Sequence, residues 1–418
     1  MTYSITAPSS LKAEITLPAS KSISNRALVI YALSGEKILP DNLSGCDDTE
    51  VIIKALENMP DTIDIKAAGT AMRFMTAYLA VTEGEHTITG TERMKHRPIH
   101  ILVDALRRLG ADISYEGSEG FPPLRIKGRE LDGGRLEIRG DVSSQFISAL
   151  LMIGPRMKNG LTLRLTGNII SRPYVDLTLC TMRDFGADAE WTDTDTIEVK
   201  PRPYTPKSYC IENDWSAASY WYEALALSAD KEAEITLNGL MDGSLQGDSV
   251  VKYLFNMLGI KTSFGNRQRG VPTAVTLKKT GLVSARLDYN FINQPDLAQT
   301  FVVTCAMMGV PFHFTGLATL HIKETDRIVA LKKEMTKLGF VISDGDGTEL
   351  IWNGERCTPE VSPAIDTYED HRMALAFAPV ATLVPGLRIN DPQVVTKSYP
   401  GFWNDMRKAG FCIDDTHA

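Results

Sequence analysis

The stretch "IHILVDALRRLGADISYEG", residues 99–117, decides how the chain is read. Ile99, Leu102, Val103, Leu106 and Leu109 recur at helical spacing behind Pro98, a residue that favours helix starts. Gly110 stands where a left-handed cap would end that helix, and "ADISYEG" then alternates as a strand does. The same amphipathic run, glycine and strand recur in "MRDFGADAEW" (182–191), "MLGIKTSF" (257–264), "TKLGFVISDG" (336–345) and "RKAGFCID" (407–414). "ALENMPDTIDI" (55–65) adds a sixth copy with Pro60 in place of the glycine. Six units, three in each half, predict a mixed α/β protein of two similar halves.

Bulk features agree. The 418 residues, 43% of them hydrophobic, suffice for two or three domains with real cores. A formal net charge of −8 argues against nucleic acid and requires any basic site to be a local pocket. Cys46, Cys180, Cys210, Cys305, Cys357 and Cys412 lie far apart with no CxxC pair, which suggests reduced thiols rather than zinc ligands or disulfides. The N-terminal stretch lacks an apolar signal core and no run is long enough for a membrane span, so a cytoplasmic protein is expected.

Between the repeats lie polar helix starts. In "LPASKSISNRALVIYAL" (17–33), Ser20, Lys21 and Ser22 precede an apolar run, and Arg26 lies about one turn further along the same face. Unpaired N–H groups and the helix dipole make such a start suited to an anion, although an ordinary serine cap with exposed charges fits this motif equally well. "AAGTAMRFMTAYLA" (67–80) repeats the arrangement, with Gly69 permitting close approach and Thr70 available as a cap. "GDVSSQFISALLMIG" (140–154) repeats it again through Ser143, Ser144 and Gln145.

Other motifs fail. His96 and His100 are separated by Pro98, which places His96 outside the helix, so no metal site is expected there. "SDGDGTEL" (343–350) lacks the later acidic ligands of a calcium loop and fits a hairpin turn, and "GSLQGDS" (243–249) lacks the ending of a P-loop. Chemistry must therefore come from Lys, Arg, Asp and Glu, and no metal or cofactor is expected.

"LPASKSISNRAL", "AGTAMRF", "HRPI", "VSSQF", "SRPYVDLTL", "ENDWSAASY", "QGD", "PDLA", "KETDR", "YEDHRMA" and "TKSYPGFW" occur in this order across the chain. In that order and rough spacing the sequence resembles the 5-enolpyruvylshikimate-3-phosphate synthase family. The resemblance implies an enolpyruvyl transferase fold, an inside-out α/β barrel of two domains, each of three βαβαββ units with buried helices. It further implies a discontinuous domain of residues 1–19 and 213–418, an inserted domain of residues 20–212, and an active site in the cleft between them.

The implied reaction moves the carboxyvinyl group of phosphoenolpyruvate to the 5-hydroxyl of shikimate 3-phosphate and releases phosphate through a tetrahedral intermediate. Two anionic substrates must then be brought together, which accounts for dense cations in an acidic protein. By family correspondence Ser143, Ser144, Ser171 and Lys21 hold the phosphate of shikimate 3-phosphate, and Ser22 and Arg26 its carboxylate. Gln145 lies against the ring, with Thr319 and Lys323 nearby. Arg97, Arg327, Arg372 and Lys397, with Lys21, Gly69 and Gln145, clamp phosphoenolpyruvate. Arg suits this because its planar fork bonds phosphate and carboxylate alike.

The same correspondence gives the proton-transfer groups. Asp296 is the base for the hydroxyl, Glu324 the acid and later base at the methylene carbon, and Lys21 a further proton donor. Asp326 is expected to orient neighbouring cations. The sequence departs from the family at Ala67, Phe74, Thr319 and Glu369, where Asn, Pro, Asn and Asn are common, so altered affinity is expected. Two rival readings remain: a UDP-N-acetylglucosamine carboxyvinyltransferase, disfavoured by the absence of a loop cysteine near "HRPI" and by Ser22 after Lys21, and a non-catalytic phosphoester-binding protein, disfavoured by the intact Lys21, Asp296, Glu324, Arg372 and Lys397. Small-molecule substrates and a monomer are the expected partners and state.

Overall fold

A computed structural model describes residues 1–35, 39–266 and 268–416. The chain divides into two compact units, one made of Met1–Pro18 with Glu212–Ala418 and the other of Ala19–Ile211. Each has its own hydrophobic core.

Five sheets repeat one topology. In the unit Ala19–Ile211, Thr62–Asp64 pairs parallel with Gly84–Thr89, which pairs antiparallel with Leu124–Gly128, which pairs antiparallel with Asp112–Tyr115. Gly134–Arg139, Leu161–Thr166, Thr196–Val199 and Ala189–Trp191 follow the same order and directions. A parallel pair needs a crossover and an antiparallel pair only a turn, so this order is what β-α-β-α-β-β produces. Among the described residues the third repeat of this unit keeps its helices, Lys21–Ser34 and Asp47–Asn58, but its strand pairing is a single parallel bridge, Asp41 with Cys210.

The other unit has three such sheets, and the chain's first strands complete two of them. Lys12–Thr16 pairs parallel with Glu234–Met241, followed by Pro272–Lys279 and Ile260–Phe264. Thr2–Thr6 lies between Leu387–Asn390 and Cys412–Thr416, with Ala364–Ile365 at the edge. Leu287–Asn290, Phe312–Thr315 and Leu350–Trp352 form the last. Here the strand expected after Gly339 is reduced to two bridges, Phe340 with Arg356 and Ser343 with Ile351. Three steps of chain oppose five between these bridges, so no regular ladder joins them.

The amphipathic helices that carry the glycine signal are the outer ones. Gly110 ends its helix at φ 103° and Gly339 at φ 88°, conformations that cost a residue with a Cβ about 1 kcal/mol or more. In the sixth copy Met59, not Pro60, takes the left-handed position, at φ 38°. The inner helices are different: Lys21–Ser34, Gly69–Ala80 and Ser144–Ile153 in one unit, Trp215–Leu227, Ala298–Met308 and His371–Phe377 in the other. Each is buried on nearly every side, as an apolar helix without a polar face must be. Of the candidate site residues, Lys21, Ser22, Gly69, Ser144, Gln145 and Arg372 lie in their first turns, whereas the buried Glu223, outside that set, sits mid-helix.

Among the described residues no helix is long and apolar enough to cross a membrane.

Candidate active site

The unit Met1–Pro18 with Glu212–Ala418 gathers three carboxylates and four cations, all at or just before helix starts except Lys397, which ends the 3-10 helix Pro392–Lys397. Asp296 lies in the 3-10 turn Pro295–Leu297, immediately before Ala298–Met308. Its Oδ1 accepts from Lys323 at 3.3 Å and from Arg327 at 3.1 Å, and its Oδ2 from Arg372 at 2.9 Å. Burial works to raise this carboxyl, but Arg372, Lys323 and Arg327 hold it well below the usual carboxylate range. Its side chain keeps 22% of its exposure, so it remains reachable.

Glu324 accepts from Arg327 at 2.9 Å and from Lys397 at 2.9 Å. Arg327 is the hub. Its Nε and Nη2 donate to Asp370 at 2.7 and 3.3 Å, its Nη1 to Asp296 and its Nη2 to Glu324. Burial acts to lower the guanidinium's pKa, but Asp370, Glu324 and Asp296 outweigh it and hold it above its ordinary value. Arg372 also donates to the buried Tyr220 hydroxyl at 3.1 Å. Asp296, Glu324, Lys323, Arg327, Arg372 and Lys397 are thus brought into one cluster.

Asp326, in contrast, does not orient these cations. It caps the helix Arg327–Lys337 by accepting from the Val329 amide at 3.1 Å, and its other oxygen bonds His321 at 2.7 Å. Thr319 sits in the turn Ala318–Ile322 with its hydroxyl buried and without a hydrogen-bond partner among the described residues.

The unit Ala19–Ile211 holds the second group. Ser20 caps Lys21–Ser34, and Lys21 pairs with Asp48 at 3.3 Å. Arg26 is not a surface cation. Its Nε donates to Thr178 at 2.7 Å, its Nη1 to the Ser22 carbonyl at 2.9 Å and its Nη2 to Ser148 at 3.2 Å, tying three helices together. The guanidinium lies 5.4 Å from the centre of the Phe74 ring. Burial pulls its pKa down to about 10, with Tyr174 opposing.

Gly69 begins its helix beneath Arg97: a Cβ there would lie 2.6 Å from Arg97 Nη1, so glycine is what lets the guanidinium approach. Thr70 is not the cap, because Ala68 occupies that position without a side-chain bond. Thr70 instead accepts from Gln145 Nε2 at 3.0 Å, joining the helix starts at Gly69 and Ser144. Ser143 caps Ser144–Ile153, and Ser171, at φ 53°, precedes Arg172–Asp184. His96 ends the short helix Glu92–Lys95 and His100 begins the next, so the two are on separate elements.

Sequence reasoning missed several partners. Asp370, fully buried, caps His371–Phe377 and anchors Arg327; an acidic cap before an apolar run was the available signal. Arg73 joins the Gly69 and Pro98 carbonyls, at 3.0 and 3.4 Å. Asp248 of "QGD", pushed up to about 6 by burial and by Asp296, accepts from Ser216. Glu212 of "ENDW" accepts from Trp215, Met241, Ser244 and Gln246, which fastens the segment where the chain re-enters its first unit.

Buried central helices with charged first turns define a class of protein. The fold matches an EPSP synthase from Acinetobacter baumannii at 20% identity and TM-score 0.76, covering 99% of this chain and 100% of that one. It also matches the enolpyruvyl transferase NikO from Streptomyces tendae at 16% identity and TM-score 0.77, covering 100% and 99%. The fold is that of the enolpyruvyl transferases.

The family model described as EPSP synthase (3-phosphoshikimate 1-carboxyvinyltransferase) matches residues 5–63 and 57–406. A Bacteroides fragilis protein named 3-phosphoshikimate 1-carboxyvinyltransferase is 59% identical over 413 residues, 99% of each chain. One of the same name from Shewanella halifaxensis is 34% identical over 420 residues, 94% of this chain and 95% of that protein. This chain belongs to the EPSP synthase family.

Proposed function

We propose that the chain transfers the carboxyvinyl group of phosphoenolpyruvate to the 5-hydroxyl of shikimate 3-phosphate, with Asp296 and Glu324 moving the protons. The observation that carries the residue roles is that these two carboxylates share Arg327 and are otherwise held by separate cations, Asp296 by Lys323 and Arg372, Glu324 by Lys397.

The carboxylates neutralise the cations, and Arg372, Lys323 and Arg327 hold Asp296 well below the usual carboxylate range. A phosphate and a carboxylate arriving on Arg372 and Lys397 compete for those donors, and the loss of Arg372 gives Asp296 back part of its basicity as substrate binds. Asp296 then takes the proton of the attacking hydroxyl while protonated Glu324 delivers one to the methylene carbon. The product of this addition is a tetrahedral ketal phosphate. Loss of phosphate, which leaves with the proton that Asp296 took up, and return of a methyl proton to Glu324 form the enol ether and restore both carboxyls.

Lys21, Ser22, Arg26, Ser143, Ser144, Gln145 and Ser171 serve shikimate 3-phosphate, with Thr319 at its edge. Gly69 and Arg97 serve phosphoenolpyruvate with Arg327, Arg372 and Lys397. We infer a monomer working in the cytoplasm, which sedimentation and cell fractionation test.

The deciding experiment is phosphate release from purified protein, omitting each substrate in turn, with Asp296→Asn and Glu324→Gln alongside. Release is expected only with both substrates, and a drop of about 10²-fold or more in each variant. A folded wild-type protein that binds both ligands and releases nothing overturns the enzyme reading.

A further inference from the structure

His321 stands two residues before Lys323, in the 3-10 turn Ala318–Ile322 that leads into "KETDR". Its Nδ1 lies 2.7 Å from Asp326 Oδ2, and its Nε2 lies in hydrogen-bond contact with the Gly347 carbonyl. Asp326 is fixed from its other side by capping Arg327–Lys337 through Oδ1. Gly347 belongs to a turn closed by its own amide on the Asp344 carbonyl at 2.7 Å.

Both partners of the ring are acceptors. An ionised carboxylate and a peptide carbonyl have no proton to give, so each ring nitrogen must donate, and an imidazole that donates twice is an imidazolium. The neutral ring would bond one partner and turn a lone pair on the other. The charged groups around it are Asp326, Asp344 with its partner Lys332 at 2.7 Å, and Lys323 further along the chain. The bonds to Asp326 and Gly347 raise the His321 pKa above its ordinary 6.5, against a small opposing effect of burial.

We propose that His321 is a positioning residue: as an imidazolium it clamps the Lys323–Asp326 segment between the start of the helix Arg327–Lys337 and the turn at Gly347, and loss of its second proton lowers turnover. Lys323 and Glu324 ride on this segment, so a loosened clamp moves them relative to Asp296 and Lys397. The inference rests on the proposed reaction for the roles of Lys323 and Glu324. Because the ring keeps 36% of its exposure, it exchanges protons with solvent and follows the bulk pH.

The test combines pH profiles of kcat for wild type, His321→Gln and His321→Arg with nitrogen NMR of the wild-type histidine rings, His321 being assigned by its absence in the Gln variant. Wild-type kcat is expected to fall on the alkaline side in step with deprotonation of His321. In His321→Gln that limb disappears and kcat at pH 6.5 drops about tenfold, with KM changed less, because a misplaced acid or base costs chemistry more than binding. In His321→Arg, a permanent cation, the limb moves up by a pH unit or more. A Gln profile parallel to wild type overturns the proposal, as does a His321 ring carrying a single proton at pH 6.5. Should the wild type release no phosphate, the reaction assignment fails by itself. The NMR then still decides the clamp: two ring protons at pH 6.5 uphold it, one overturns it.

Discussion

Arg327 Nε donates to Asp370 Oδ2 at 2.7 Å, with the two side chains 1% and 0% exposed. The pair joins two helix starts, since Asp370 also caps His371–Phe377 through the Arg372 amide at 2.9 Å. A buried ion pair adds little when intact, because desolvation offsets attraction, but breaking one side leaves a buried charge without its partner. Asp370→Asn keeps a good cap and removes only the charge. It is expected to cost about 2 kcal/mol in denaturant unfolding, less than a bare buried charge because Arg327 keeps Asp296 and Glu324, and to lower kcat/KM. An unchanged unfolding midpoint would show that Arg327 is held without Asp370.

Glu223 makes the opposite case. It is fully buried in the middle of Trp215–Leu227, and burial pushes its pKa well above the ordinary 4.5, with the Thr304 hydroxyl opposing. A carboxyl with a raised folded pKa contributes most to stability below its unfolded value and loses that contribution as pH rises towards the folded value. Wild-type stability should therefore decline from pH 5 upward, by up to about 1.4 kcal/mol per unit until the folded value is reached. Glu223→Gln should remove that part of the slope and be the more stable protein at pH 8. Urea midpoints at the two pH values check it, and equal slopes would mean that Glu223 is not protonated in the fold.

The outer helices were legible because glycine and amphipathic spacing are local signals, and Gly110 and Gly339 take the predicted left-handed turns. Of the inner helices, Lys21–Ser34, Gly69–Ala80 and Ser144–Ile153 were visible through their polar first turns and the other three were not read, since a helix buried on all sides carries no period of its own. Lys21, Ser143 and Gly69 were found that way. Asp326 was misjudged because an aspartate among cations reads as their partner, whereas its place just before a helix makes it a cap. The Arg327–Asp370 and Lys21–Asp48 pairs were invisible for a different reason: their members are 43 and 27 residues apart, and nothing in the spacing links them.

The Phe74 ring supports the Arg26 guanidinium, its centre 5.4 Å away. A cation over a desolvated aromatic face is held by about 1 to 2 kcal/mol. Phe74→Leu keeps the apolar volume and removes the face. Under the proposed roles, the KM for shikimate 3-phosphate should rise about threefold to tenfold while that for phosphoenolpyruvate stays put. Equal changes in both would point to a shift of the whole helix Gly69–Ala80 instead.

Glu369 and Tyr368 both adopt positive φ, 57° and 54°, in the turn that delivers Asp370 to Arg327. Tyr368 is tied down through its hydroxyl to the buried Glu334, whereas Glu369 is exposed. A left-handed glutamate costs about 1 kcal/mol, and asparagine tolerates that conformation better through its short polar side chain. Glu369→Asn is expected to raise stability by up to about 1 kcal/mol and to leave kcat within twofold, because the side chain faces solvent and only its backbone shapes the turn. Thermal unfolding of the variant beside wild type checks the first claim and steady-state turnover the second. A destabilised variant with normal turnover would mean that the Glu369 side chain makes a favourable interaction worth more than the strain it bears.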